Sequence, residues 1–392
     1  AEAARSAAVA QLRGDGHRAG PTTAAPALPS DAPGPAGSGS MRTSVAKILH
    51  TRRELCEDCP EEVADSVLAE LVDGFLRCSC EQSRKHMPDV QTLQAKLREE
   101  DRLRNLQWLV QACCTMNFSD SVLFATVHTF DRFYAKCGHR VPQEDSPRIL
   151  LGIICIALKN NAGQDSLSNA PLHEQLAHLC HKQMSFRDVV RTEFQVLSAL
   201  EFETTVPLPL EFLDTLSVPL TSPAEDPDCS PPRCLASFLL HLALFRLTLL
   251  YRYPHCILAA ASIYVALCNF DAPVTTFQAL LEDVAFACPE LRSSSHLVVD
   301  CARHLHTAWC EFAITRGYSV PSVLGKFCGR KIHETALLTP PPLTALARPV
   351  ATLAATFGHC DSTGQGGGGP PESNAAAASP GAAAAAPATA AG

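Results

Sequence analysis

Apolar residues recur with the period of a helix through most of the middle of this chain. The most apolar stretch runs Arg148-Ile-Leu-Leu-Gly-Ile-Ile-Cys-Ile-Ala-Leu-Lys159, with no charge between its two ends. A helix apolar all round is a buried one. At about 12 residues it is too short to span a bilayer. Gly152 and Ala157 alternate with Ile149, Leu150, Ile153 and Ile156, so neighbouring helices can come close. The stretch predicts a central helix, wrapped by others, that reaches the surface at Lys159.

Further helices are predicted on either side of it. Pro60 starts one in which Val63, Val67, Leu68, Leu71, Val72 and Phe75 share a face. Leu93 to Cys114 is amphipathic, with Leu103, Leu106, Trp108, Leu109 and Val110 on or near its buried side. Ser119 caps the next, which runs to about Lys136, and Pro147 opens the central helix. Residues 160–169 read as a loop, followed by a helix around His173 to His181. Ser185-Phe-Arg-Asp188 resembles a capping box that starts a helix through Leu200. Pro207 and Pro209 break the pattern.

A second set follows: Leu210–Leu216, a Pro- and Asp-rich loop at 221–233, Leu235–Tyr251, Ile257–Leu267 opened by Pro254, a helix from Pro273, and Ser295–Phe312. The small-residue helix, with an amphipathic one before it and others after it, thus occurs twice. No strand-like alternation of any length appears. The expected fold is all-α, two tandem five-helix bundles. The expected division is an N-terminal region at 1–58, bundles at 59–205 and 206–345, and an Ala/Gly/Pro tail at 346–392. Both ends are expected to be disordered from their composition.

Composition narrows the function classes. The chain has 392 residues, 46% hydrophobic content and a formal charge of −8. That balance fits a soluble globular protein and argues against a nucleic-acid partner, which calls for a basic face. No run of 18 or more apolar residues marks a membrane span. The first residues lack a signal peptide and an initiator Met, so the chain can be trimmed at that end. Its 18 cysteines then read as reduced thiols. Cys56-x-x-Cys59 and Cys78-x-Cys80 sit at opposite ends of a predicted helix, too far apart for one tetrahedral zinc site. Arg52-Arg53-Glu54-Leu55 has the Arg-x-x-Leu form of a degradation signal read by a ubiquitin ligase, a quartet that also arises often by chance.

Catalytic sets are not found. There is no Gly-rich phosphate loop, Gly-x-Ser-x-Gly or His-Glu-x-x-His. Cys301 and His304 share a helix, but among 18 Cys and 15 His chance proximity explains them. No cofactor, metal or enzymatic activity is expected. More informative are Arg102, Asp131, Lys159 and Glu193, each beside the apolar stripe of its own helix. Charges that are partly buried must pair. The alternative is that all four are solvated surface charges.

These residues resemble the cyclins, the activating subunits of cyclin-dependent kinases. Arg102-x5-Trp108-Leu-Val is similar to the first-helix signature, and Phe130-Asp131-Arg132-Phe133 to the Leu-Asp-Arg-Phe of helix two. Ile156-Ala-Leu-Lys159 resembles the end of the central helix. Thr192-Glu193-x-x-Val196-Leu-x-x-Leu200-x-Phe202 resembles helix five. Pro207-Leu-Pro-Leu-x-Phe212-Leu, Tyr253-Pro254 with Ala259-Ala-Ala, Lys326-Phe327 and Thr335-Ala-Leu-Leu-x-Pro340-Pro resemble parts of a second box and the chain end of A- and B-type members. The resemblance covers about 60–340.

The resemblance implies two cyclin boxes, a cyclin-dependent kinase as partner, and a role in cell-cycle control in the nucleus, the cytoplasm or both. It implies that Lys159 and Glu193 contact the kinase and that Arg102 and Asp131 pair inside the first box. Two departures stand out. Asn160, Asn161 and Ala162 follow Lys159 where acidic residues are usual. The substrate-docking patch, Met-Arg-x-Ile-Leu in the family, is Asp101-Arg-Leu-Arg104-Asn105 ahead of Trp108, so docking of a substrate leucine there is expected to be weak or absent. The expectation is a divergent member of the A/B-like group that binds and activates a kinase. The alternatives are a cyclin-box scaffold that does not activate one, and a transcription factor of the factor IIB type. The latter requires a basic DNA-facing surface and a zinc ribbon.

Overall fold

A computed structural model gives the structure of the chain. It describes residues 74, 76–138, 141–161, 185–217, 230–287, 294–329, 334–347 and 349. Among these, every regular element is a helix, with 3-10 turns at Gln143–Asp145 and Thr335–Leu337. The expected tails, the Arg52–Leu55 quartet, Cys56, Cys59, the start of the helix from Pro60 and the helix around His173 lie outside the described residues.

We number the helices α1 (76–85), α2 (Val90–Lys96), α3 (Glu99–Met116), α4 (Asp120–Lys136), α5 (Ser146–Asn161), α6 (Phe186–Ala199) and α7 (Pro209–Ser217). There follow α8 (Pro231–Leu244), α9 (Leu247–Arg252), α10 (His255–Asn269), α11 (Val274–Ala287), α12 (Ser294–Ile314) and α13 (Pro321–Phe327).

Helix α5 is buried from Ile149 to Leu158, as its apolar run dictates. It packs against α4 and α6. Helix α10 is buried from His255 to Cys268 and packs against α7, α8, α11 and α12. The two neighbourhoods meet where α7 lies on α4, α13 on α3 and α9 on α2, and their apolar residues form one continuous core.

Three boundaries differ from those expected. The helix expected over Leu93–Cys114 is two, α2 and α3. Leu97 is extended (φ −125°, ψ 118°) while its N–H still caps Leu93 O. Leu93 and Leu97 are both buried, so hydropathy runs through the break. Glu99, Glu100 and Asp101 then occupy the first turn of α3, where the helix dipole favours acids. The helix expected over Leu235–Tyr251 likewise breaks at Phe245 and Arg246, with Phe245 and Leu247 buried on either side. Asn160 and Asn161, expected in a loop, belong to α5, and Asn161 Nδ2 donates to Ala157 O at 2.8 Å.

Gly152 fixes how closely α5 and α6 approach. A Cβ at this position would lie 2.9 Å from Thr192 Cγ2 and 3.2 Å from Glu193 N. Among the described residues no helix is long and apolar enough to cross a membrane. No group of three or more His, Cys, Asp and Glu there could hold a metal ion.

Candidate functional site

Lys159 emerges where α5 leaves the core, and Glu193 meets it from α6. Helix α6 is started by a reciprocal capping box, Ser185 with Asp188, which fixes its first turn. Lys159 Nζ donates to both carboxylate oxygens of Glu193, at 2.8 and 2.7 Å. The pair is asymmetric: the lysine side chain is 47% exposed and the glutamate 8%. The buried glutamate is therefore held by a cation that still faces solvent. Burial, reinforced by the nearby Glu193 charge, pushes the Cys155 thiol up to about 12, so it stays protonated beneath the pair.

Two large aromatic side chains stand exposed near this pair. Phe194 is 64% and Phe202 61% exposed, with ring centroids 6.4 Å apart in an edge-on arrangement. Val190, one turn before Phe194, is also exposed. Asn160 Nδ2 donates to Thr204 Oγ1 at 3.0 Å, which ties the end of α5 to the turn carrying Phe202. In that turn Glu201 and Phe202 both have positive φ, 55° and 62°. Left-handed backbone at two consecutive non-glycine residues is strained and is held in place by its surroundings. Sequence reasoning did not single out Phe194 and Val190 as surface features. The available signal was their spacing: they fall off the stripe formed by Val189, Thr192, Glu193, Val196 and Leu200, which is buried.

Arg102 and Asp131 also meet, and both are fully buried. Arg102 Nε and Nη2 donate to the two Asp131 oxygens at 2.8 and 2.7 Å. Burial opposes the guanidinium charge, but Asp131 outweighs it and raises the Arg102 pKa. The pair is more than local. Arg102 Nη1 donates to Leu244 O at 2.9 Å, and Tyr251 Oη donates to Asp131 at 2.8 Å. Helices α8 and α9 thus complete a charge pair made by α3 and α4. Burial, and then Asp131, push the Tyr251 hydroxyl well above its ordinary pKa, so it remains a donor.

Asp101, Arg104, Asn105 and Trp108 follow one another along α3. Asp101 is buried and accepts from Arg98 Nε at 2.7 Å, with Arg104 at 3.6 Å. Arg104 is exposed, and Trp108 is half-buried against the core. Asn105 is buried and its Nδ2 has no partner. A polar cavity of about 320 Å³ beside them is lined by Lys96, Arg98, Asp101 and Ser146 among others. This face offers clamped charge in place of an apolar pocket.

Cys301 is buried, and burial keeps its thiol well above the ordinary pKa. The His304 ring lies against Tyr253. Nothing in this geometry activates Cys301 as a nucleophile.

Residues 75–205 match the family model described as cyclin, N-terminal domain. Cyclin-B2-1 of Arabidopsis thaliana is 31% identical over 183 residues, 47% of this chain and 39% of that protein. G2/mitotic-specific cyclin-2 of Antirrhinum majus is 24% identical over 267 residues, 67% of this chain and 57% of that protein. Cyclin-A1-3 of Oryza sativa subsp. japonica is 25% identical over 272 residues, 69% and 52% respectively. The chain spans about half the length of these curated relatives. The X-ray structure of a viral cyclin from herpesvirus saimiri is similar over 58% of this chain and 96% of that one, at 17% identity and a TM-score of 0.43. The match to the N-terminal cyclin domain coincides with the helices that carry Lys159, Glu193, Arg102 and Asp131, and the similarity to relatives named as B-type and A-type cyclins extends beyond it.

Proposed function

We propose that this chain is the regulatory subunit of a cyclin-dependent protein kinase, acting in cell-cycle control, and that it has no catalytic activity of its own. In this reading the helices up to Thr205 form one cyclin box and those from Val206 to about Ala345 a second. The observation that carries it is the exposed face built from Lys159, Glu193, Phe194 and Phe202. Paired aromatics left in solvent beside a fixed charge have the make-up of a partner site, in which buried aromatic anchors dominate the energy. Lys159 places two donors on Glu193 and keeps a third for an acceptor on the partner. A charge-assisted bond of that kind gains strength once the aromatics exclude water. A partner seated there in one conformation has its population shifted toward that conformation.

The test is a pull-down of the full chain with the kinases identified by mass spectrometry. Lys159→Ala combined with Glu193→Ala abolishes kinase co-purification and leaves the helical circular dichroism unchanged. Undiminished kinase binding would sink the assignment.

A second reading is a scaffold that binds a kinase without activating it. Asn160 and Asn161 support it, since both are committed to internal bonds with Thr204 and Ala157. Histone phosphorylation by the purified complex, against kinase alone, separates the two.

A further inference from the structure

A cavity of about 430 Å³ opens between the end of α1, the start of α2, the last turn of α4 and the turn at 201–203. Its walls carry Lys85, His86, Arg132, Lys136, Glu201 and Glu203. Arg132 is only 2% exposed. Its Nη1 donates to the backbone O of Glu203 at 2.8 Å, and its Nη2 lies 3.2 Å from His86 Nδ1. Because the guanidinium can only donate, His86 accepts here and is neutral.

The nearby carboxylates are engaged elsewhere. Glu203 pairs with Lys85 at 3.3 Å and also lies 3.4 Å from His86 Nδ1, and Glu201 pairs with Lys136 at 3.7 Å. Among the described residues no carboxylate is in ion-pair contact with Arg132. Burial lowers the Arg132 pKa, and the Glu203 charge opposes this only in part. A buried cation hydrogen-bonded only to a carbonyl and an imidazole, with its nearest carboxylate out of ion-pair contact, is under-compensated. The two rim pairs are long and solvent-exposed, so they are easily exchanged.

We propose that this cavity is a binding site for a phosphate dianion. The Arg132 fork supplies planar donors and Lys85 and Lys136 supply point charges, the set that recognises phosphate. A phosphate dianion outcompetes the single carboxylates for the two lysines. Displacement frees Glu201 and Glu203, the residues on either side of exposed Phe202, so occupancy bears directly on the strained turn. Phosphate binding itself does not depend on the kinase reading. The phosphate is either that of a phosphorylated peptide or free.

The experiment uses the full chain and isothermal titration with N-acetyl-phosphoserine amide, N-acetyl-serine amide and inorganic phosphate. The phosphorylated amide binds and the unphosphorylated one does not. Lys85→Ala with Lys136→Ala weakens binding by about tenfold or more, with an unchanged urea midpoint. Arg303→Ala with Arg316→Ala, which removes two exposed cations elsewhere, leaves binding intact. Tighter binding of the phosphoamide than of inorganic phosphate assigns the site to a peptide, and equal binding assigns it to free phosphate. No binding of either, or equal binding by the Lys85/Lys136 variant, overturns the proposal.

Discussion

Tyr251 donates to the same Asp131 oxygen that accepts from Arg102 Nη2, at 2.8 and 2.7 Å. The carboxylate is shared between α3, α4 and α9 at a point with no access to water. Tyr251→Phe removes one donor from a buried charge and is expected to lower stability by about 1–3 kcal/mol. Arg102→Ala strands the carboxylate and lowers it by about 3–5 kcal/mol. Urea denaturation of both single variants and the double gives a coupling energy. Strict additivity would show that Asp131 does not link them.

Gly152→Ala places a methyl group 2.9 Å from Thr192 Cγ2. Overpacking of this kind costs about 1–3 kcal/mol. Thr192→Ser deletes that methyl and should recover most of the loss in the double variant. If Thr192→Ser gives no recovery, Gly152 does not set the α5–α6 spacing.

The pH dependence follows from buried histidines. Burial lowers His255 to about 4 and, together with His255, holds His128 well below its ordinary value of 6.5. The unfolded chain takes up these protons near pH 6.5; in the folded chain His255 takes its proton only near pH 4, and His128 only well below 6.5. The His255 contribution to stability is complete above pH 6.5 and declines as pH falls toward 4, by about 1.4 kcal/mol per unit, and the His128 contribution declines in the same direction. His255→Gln should flatten the slope in that window by this amount, and an unaltered slope would refute the assignment.

Glu211 works in the opposite sense. Burial pushes its carboxyl up to about 7 from 4.5, so its contribution is complete below pH 4.5 and is lost as pH rises through 7. Glu211→Gln is therefore expected to stabilise the chain at pH 8 by about 1–3 kcal/mol relative to its effect at pH 4.5. Denaturation midpoints of this variant at the two pH values test it. A gain of equal size at both would show that the charge is not responsible.

Asn105 presents a buried amide nitrogen without a partner. Asn105→Leu replaces it with an apolar side chain and is expected to stabilise the chain by about 1 kcal/mol. Thermal melting measures it, and a loss of stability would show that the amide is satisfied.

The helical class, the central helix and the reciprocal cap at Ser185 were legible because each is a local pattern. The breaks at Leu97 and Phe245 were not, since apolar residues are buried on both sides of each. Spacing beside an apolar stripe singled out Arg102, Asp131, Lys159 and Glu193, and the structure brings them together in two pairs. That Leu244 and Tyr251 complete the Arg102 pair was illegible, because it depends on how segments more than a hundred residues apart in sequence pack. The cavity at Arg132 was hidden for the same reason.

The bond from Arg102 to Leu244 spans 142 residues. During synthesis the chain elongates at roughly 5–20 residues per second. For several seconds after α3 and α4 have emerged, their buried guanidinium therefore lacks the carbonyl it will use, and the carboxylate lacks its tyrosine. The nascent N-terminal half must hold this charge pair incomplete until α8 and α9 arrive. That interval is when a chaperone, or a premature stop, acts on a domain whose buried charge pair still lacks two of its hydrogen bonds.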